Sequence, residues 1–153
     1  MPQPKPNVLL ITSDQQHFST LAHAANNPAI KTPNLDRLAK RGTMFDRAYC
    51  PNPTCTPSRA SIITGLYPSV HGAWSLGCRT PEHHTFLGDR FRQAGYDASL
   101  IGKAHFQPLR DDPDRPETHS IEKHPYLRDL EFWQRFNRTE TPWYGFNHVE
   151  TCR

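Results

Sequence analysis

Cys55-Thr56-Pro57-Ser58-Arg59-Ala60-Ser61-Ile62-Ile63-Thr64-Gly65 is the stretch on which the reading of this 153-residue chain turns. Thr56 is a fair N-cap and Pro57 has the fixed φ favoured at the first helical position, so a helix is expected to start there and stop at Gly65. Cys55 then stands just outside a helix N-terminus, where unpaired N–H groups and the macrodipole favour negative charge. Arg59 lies one turn further on and can reach back with a planar, permanently charged fork suited to sulfate, phosphate or carboxylate oxygens. Spacing alone also allows a buried free cysteine ahead of an ordinary capped helix.

On the amino-terminal side, Asn7-Val8-Leu9-Leu10-Ile11-Thr12 is a continuous apolar run rich in branched residues, which predicts a strand buried on both faces of a parallel sheet. Ligands of open α/β sheets bind outside the carboxyl ends of strands, and this one ends in Ser13-Asp14-Gln15-Gln16-His17. Asp14 is a candidate ligand for a hard cation and Gln15 offers a neutral amide oxygen; an Asx-type turn that merely leaves the strand is the alternative. Thr32 to Gly42 reads as a short packing helix with a Thr cap, proline at the first position, Leu35, Leu38 and Ala39 on one face, and a glycine stop. Thr43 to Tyr49 predicts a second strand, which leads through a proline-punctuated loop into the central stretch.

On the carboxyl side, turns are expected around Gly65 to Pro68 and Val70 to Gly72, and His71 is expected to be a surface or structural residue. A helix is predicted from Thr85 through Ala94 with Gly95 as its stop, then a strand from Asp97 to Ile101. That strand ends in Gly102-Lys103-Ala104-His105-Phe106, again polar chemistry at a strand's carboxyl end. A Lys and a His two apart in extended chain point the same way, so both are placed to face one anionic substrate. Lys103 would be a point charge on an ester oxygen and His105 would hydrogen-bond a nucleophile or move a proton; a solvated lysine and a capped strand end are the alternative. Residues 109–125 read as a charged, proline-rich excursion, Tyr126 to Phe136 as a helix with Leu127, Leu130 and Phe136 inward, and Trp143 to Val149 as a further strand.

Cys-x-Pro-Ser-Arg at 55–59, followed by Thr64-Gly65, resembles the signature of the sulfatases, in the alkaline-phosphatase-like superfamily. The resemblance extends to Asp14-Gln15 after the first apolar run and to Gly-Lys-x-His at 102–105, the family's second recurrent motif. It implies an α/β fold with a mostly parallel sheet flanked by helices, and a catalytic Cys55 oxidised to formylglycine by a maturation enzyme that reads Cys55, Pro57 and Arg59. It further implies a divalent cation, expected to be calcium, held by Asp14, Gln15 and the residue made from Cys55. The implied reaction is sulfate ester hydrolysis. One hydroxyl of the hydrated aldehyde attacks sulfur, Lys103 and Arg59 offset charge on the oxygens, and His105 helps the second hydroxyl expel sulfate. A thiol has no geminal hydroxyl for that last step. Gln15 matches a subset of the superfamily that resembles phosphonate monoester hydrolases, which keeps phosphonate monoesters and phosphodiesters open as substrates. The resemblance covers nearly all of residues 1–153 but only the amino-terminal portion of a sulfatase-like catalytic domain, whose second pair of cation ligands lies downstream. A truncated, non-catalytic fragment is therefore also expected.

Composition bounds the remaining classes. With 35% hydrophobic residues, 15 prolines and a mean hydropathy of -0.75, the core is expected to be lean and loops frequent. The net charge of +3 comes from 18 basic against 15 acidic residues without a long basic run, which argues against nucleic acid as a partner. No apolar run reaches membrane-spanning length and Met1 to Pro6 shows no signal-peptide core, so a cytoplasmic protein with reduced thiols at Cys50, Cys55, Cys78 and Cys152 is expected.

Overall fold

The computed structural model of the chain describes residues 5–21, 29–110, 120–123 and 129–151, which fall in two units, Met1–Ala48 and Tyr49–Arg153. In the first unit, residues 7–12 form no strand, and Val8, Leu9, Leu10 and Ile11 are 60%, 83%, 60% and 79% exposed. This corrects the expectation of a buried strand. An apolar run supplies the side chains of a strand, whereas the strand itself exists only when a neighbour accepts and donates its backbone hydrogen bonds. Asp14 and Gln15 follow in a bend, with Gln15 in the left-handed region at φ 53°. A single 3-10 turn, Phe18–Thr20, comes next, its first N–H groups capped by the His17 ring, which accepts from the Ser19 N–H at 3.2 Å.

Helix α1 (Pro33–Arg41) forms where the proline at its start and the basic residues at its end place it. Its Thr32 hydroxyl donates to Asp36 Oδ1 at 3.0 Å rather than capping a backbone N–H. The packing role read for this helix is not realised, since no residue of α1 is buried and Leu38 is 67% exposed. Residues 43–49 contain a turn at Asp46 and Arg47 and no strand, a second correction of the same kind.

The second unit opens with α2 (Cys55–Thr64), which ends as its sequence demands: Gly65 is left-handed at φ 70° and its N–H donates to the Ser61 carbonyl at 2.8 Å. One short turn of helix follows, α3 (Pro68–His71), stopped by Gly72 at φ 81°. His71 at its end is fully buried. The Ala73 N–H donates to Nδ1 at 3.1 Å, which leaves the proton on Nε2, 3.0 Å from Ser61 Oγ. Burial first, and the charge of His84 second, hold this imidazole below its usual pKa of 6.5, against the raising effect of the Pro57 carbonyl. His71 is thus structural, a neutral bolt between α2 and α3.

Helix α4 (Leu87–Gln93) is shorter than the run Thr85 to Ala94 suggested, because Asp89 Oδ2 accepts the Phe86 N–H at 2.9 Å and fixes the start of the helix there. Then β1 (Ser99–Ile101), α5 (Leu130–Thr139) and β2 (His148–Glu150) complete the described elements. The strands pair in parallel, Ser99 opposite His148 and Ile101 opposite Glu150, and Gly102 N–H continues the ladder to the Glu150 carbonyl at 2.8 Å. Asn137 of α5 occupies the other edge of β2: its side-chain N–H donates to the Val149 carbonyl at 2.9 Å, and its side-chain oxygen accepts the Val149 N–H at 2.7 Å. A side chain thereby satisfies backbone groups that a further strand would otherwise pair.

Helix α5 starts at Asp129, whose carboxylate accepts the Phe132 N–H at 2.9 Å. It buries Trp133 and Phe136, while Leu130, expected inward, is exposed; Leu127 lies outside the described residues. The core is aromatic. Phe86 and Phe106 each meet Tyr144 at 5.1 Å between ring centroids, and Trp133 meets Phe136 at 5.5 Å. Such rings each bury large apolar areas, which offsets the shortage of aliphatic residues.

Gly88 of α4 packs its α-carbon on the backbone of Gly145, which is left-handed at φ 84°. A Cβ at position 88 would overlap the Gly145 carbonyl group. Gly88→Ala is therefore predicted to destabilise the unit by about 1–3 kcal/mol, read from denaturant unfolding. Equal or greater stability would contradict this packing. His71 gives a second prediction. A histidine with a lowered folded pKa binds its proton more weakly folded than unfolded, so its contribution to stability is fully present above about pH 6.5 and is lost as pH falls. NMR titration of the imidazole should give a midpoint below 6.5, and a midpoint at or above that value would refute the buried neutral assignment.

Candidate active site

Asn52 prepares the start of α2: its side-chain oxygen accepts the Thr54 N–H at 2.8 Å and the Thr54 hydroxyl at 2.5 Å. Thr54 is extended, at ψ 152°, and its carbonyl accepts the Ser58 N–H at 3.1 Å, closing the first turn. Cys55 is consequently the first helical residue rather than the residue before the helix, and Thr54 replaces Thr56 at the cap position. The displacement keeps the chemistry read from the sequence. Cys55 is half-buried at the end of a ten-residue helix whose first N–H groups face outward from the dipole's positive end. Thr56, expected to cap, is instead fully buried, and its hydroxyl has no hydrogen-bond partner among the described residues.

Two basic residues converge on this end of α2. Lys103, just beyond β1, brings Nζ to 3.6 Å from Cys55 Sγ, and Arg59 Nη1 donates to the Lys103 carbonyl at 2.6 Å. Cys55, Arg59 and Lys103, which the sequence separates by up to 48 positions, are therefore in direct succession. His105 is buried two residues on. The extended alternation expected to aim Lys103 and His105 together is absent, because Gly102 sits at φ 102° and His105 at φ 55°. Left-handed backbone at both positions turns the segment away from the strand direction.

What holds this turn was not legible in the sequence. Glu122 is almost wholly buried and accepts the backbone N–H groups of His105, Phe106 at 2.7 Å and Gln107 at 2.8 Å. Desolvation pushes its carboxyl up to about 7, against the downward pull of these amides and of the Arg59 charge. Gln107 returns the contact, its side-chain oxygen accepting the Ile121 N–H at 3.1 Å. Thr80 N–H donates to the Phe106 carbonyl at 2.8 Å, and the Tyr144 hydroxyl donates to the Thr80 carbonyl at 2.8 Å. Nothing in local periodicity marks Glu122, which lies in the charged, proline-rich excursion of residues 109–125.

Asp14 and Gln15 are exposed residues of the amino-terminal unit. Their side chains offer a carboxylate and an amide oxygen side by side, a donor set suited to a hard divalent cation that completes its shell with water and other oxygens. Among the described residues no group of three or more His, Cys, Asp or Glu side chains is gathered for a metal. Cys50, Cys55 and Cys78 are free thiols, and Cys152 is outside the described residues. No helix is long and apolar enough to cross a membrane among the described residues.

The sulfatase family profile matches residues 6–145. The chain is 32% identical over 146 residues to an ulvan-active sulfatase of Formosa agariphila, which covers 95% of this chain and 28% of that protein. It is 33% identical over 128 residues to the human N-acetylgalactosamine-6-sulfatase, with 71% of this chain and 24% of that protein covered. It is 40% identical over 108 residues to an arylsulfatase of Clostridium perfringens, with 69% and 22% covered. The chain thus spans about a quarter of the length of the curated relatives it matches. With the helices and the small parallel sheet around Cys55, this extent of similarity gives the assignment: the chain belongs to the sulfatase family, of alkaline-phosphatase-like fold.

Proposed function

We propose that the protein of which this chain forms part hydrolyses sulfate esters at residue 55, matured to formylglycine. The observation that carries the reading is the Lys103 ammonium 3.6 Å from Cys55 Sγ at the positive end of α2. A sulfate ester is an anion whose bridging oxygen gathers further charge as the S–O bond breaks, so fixed donors aimed at it lower the barrier. Lys103 supplies a point charge to the ester oxygens. Arg59 has five N–H donors, one of which orients the Lys103 carbonyl, and the fork adds positive potential behind the helix N-terminus. His105, held in a buried loop, is the residue proposed to take the proton from the second hydroxyl of the hydrated aldehyde as sulfate is expelled.

Formylglycine, once made from Cys55 by a maturation enzyme, supplies in its hydrated form two hydroxyl groups on one carbon, which a thiol lacks. The half-buried position, beside an ammonium and a helix N-terminus, suits such a group. Asp14 and Gln15 are the residues proposed to hold a hard divalent cation, calcium above others, which would supply Lewis-acid charge stabilisation. Gln15 in place of a second carboxylate favours one further reading, a phosphonate monoester or phosphodiester hydrolase on the same scaffold. Parallel assays with an aryl sulfate and an aryl methylphosphonate separate the two.

Coexpression with a formylglycine-generating enzyme is expected to give a peptide whose mass shows an aldehyde at position 55. Only unmodified thiol there, in cells that modify a control sulfatase, would refute the maturation. In the whole protein, Asp14→Ala is predicted to abolish turnover of a sulfate ester, and a strong chelator to do the same reversibly. Turnover that survives both would exclude Asp14 as a cation ligand.

A further inference from the structure

Glu122 belongs to none of the motifs, yet the residue is only 2% exposed and its carboxylate accepts backbone N–H groups of the loop that follows Lys103. We propose that Glu122 is a positioning residue of the site: it gathers the backbone N–H groups of His105, Phe106 and Gln107 and so fixes the loop from which Lys103 reaches the side chain at position 55. This rests on the reading that residue 55 and Lys103 carry the chemistry.

Three successive amides turned onto one anion form a concave nest, and the left-handed His105 at φ 55° is the residue that bends them inward. Without the acceptor, three buried donors would have no partner, and the bend would lose its reason to persist. The effect on Lys103 follows from the chain. Arg59 grips the Lys103 carbonyl at 2.6 Å, Glu122 grips the His105 N–H, and only buried Ala104 stands between. The lysine stem therefore rises from backbone clamped on both sides.

Glu122 is itself clamped. Its own N–H donates to Ser120 Oγ at 3.1 Å, and the neighbouring Ile121 N–H donates to the Gln107 side chain, so the segments 105–107 and 120–122 hold each other. Among the described residues, Arg59 from α2 and, across the core, the Tyr144 phenol are charged or titratable groups that act on the carboxylate. A glutamine at 122 would have the same size but would turn an NH2 group against at least one backbone N–H.

The test uses the unmodified chain and therefore does not depend on turnover. Cys55 is alkylated in parallel with iodoacetate, an anion, and iodoacetamide, which is neutral, and labelling at position 55 is read by peptide mass spectrometry. The Cys55 thiolate attacks the methylene carbon of either reagent and displaces iodide, so the ratio of the two rates reports positive charge beside the sulfur. Removal of a charge about 4 Å away, as in Lys103→Ala, is expected to lower the ratio about fivefold. Glu122→Gln should lower it toward the Lys103→Ala value. The labelling is run well above pH 7, where the Glu122 carboxyl is ionised; loss of its negative charge without movement of the loop would then raise the ratio instead, and a ratio at or above that of the wild type overturns the proposal.

Asn137→Ala, which loses two hydrogen bonds to Val149, loosens the fold elsewhere and should leave the ratio unchanged; a fall there equal to that of Glu122→Gln would mean general loosening and would also overturn it. If Glu122→Gln does not fold, Glu122→Asp withdraws the same oxygens by one methylene and is expected to give an intermediate ratio, with a wild-type ratio again contrary. A whole protein inactive on sulfate esters would count against the proposed function and would leave this ratio as it is.

Discussion

The hydrogen bond from Arg59 Nη1 to the Lys103 carbonyl, at 2.6 Å, ties the helix that begins at Cys55 to the loop that leaves β1. The two segments are 44 residues apart in the chain, and each carries half of a cationic site. A charged donor on a neutral acceptor is a stronger bond than a neutral pair, and the planar guanidinium fixes direction as well as distance. Once this bond is made, the Lys103 side chain has a short and defined route to position 55. Helix, strand end and loop then act as one support.

Positive charge so concentrated requires a counterweight, and a buried carboxylate supplies it. Glu122 lies on the backbone of the loop, where its carboxylate accepts the N–H groups of His105, Phe106 and Gln107. The aromatic cluster of Phe86, Phe106, Trp143 and Tyr144 packs below, and Tyr144 and Thr80 pin the Phe106 carbonyl from that direction. The parallel pair β1 and β2 supplies direction, and Asn137 closes one of its edges.

Local chemistry was the legible part of the sequence. The stop of α2 at Gly65 and the proline start of α1 depend on neighbours within one turn, and both appear where the residues place them. Lys103 beside Cys55 depends on a contact across 48 positions; its place at a strand's carboxyl end marked it as a candidate, and the resemblance of Gly-Lys-x-His to a family motif tied it to residue 55. Glu122 had neither kind of signal, because a lone acidic residue in a charged excursion is indistinguishable from a solvated one until the fold buries it. The run at 7–12 failed for a different reason, since side-chain pattern cannot provide the neighbouring strand on which a sheet depends. The left-handed backbone at His105 likewise has no local signal; its N–H is accepted by Glu122, 17 positions away in the chain.

The claim at the centre of this account is that the Lys103 ammonium works on the sulfate ester held at residue 55. The most direct measurement is kcat/KM for an aryl sulfate in the whole matured protein and in its Lys103→Ala variant, with the aldehyde at position 55 verified in both. A loss on the order of 10²–10³-fold is the result expected for removal of a fixed charge from a developing oxyanion. Equal kcat/KM in the two proteins would contradict it.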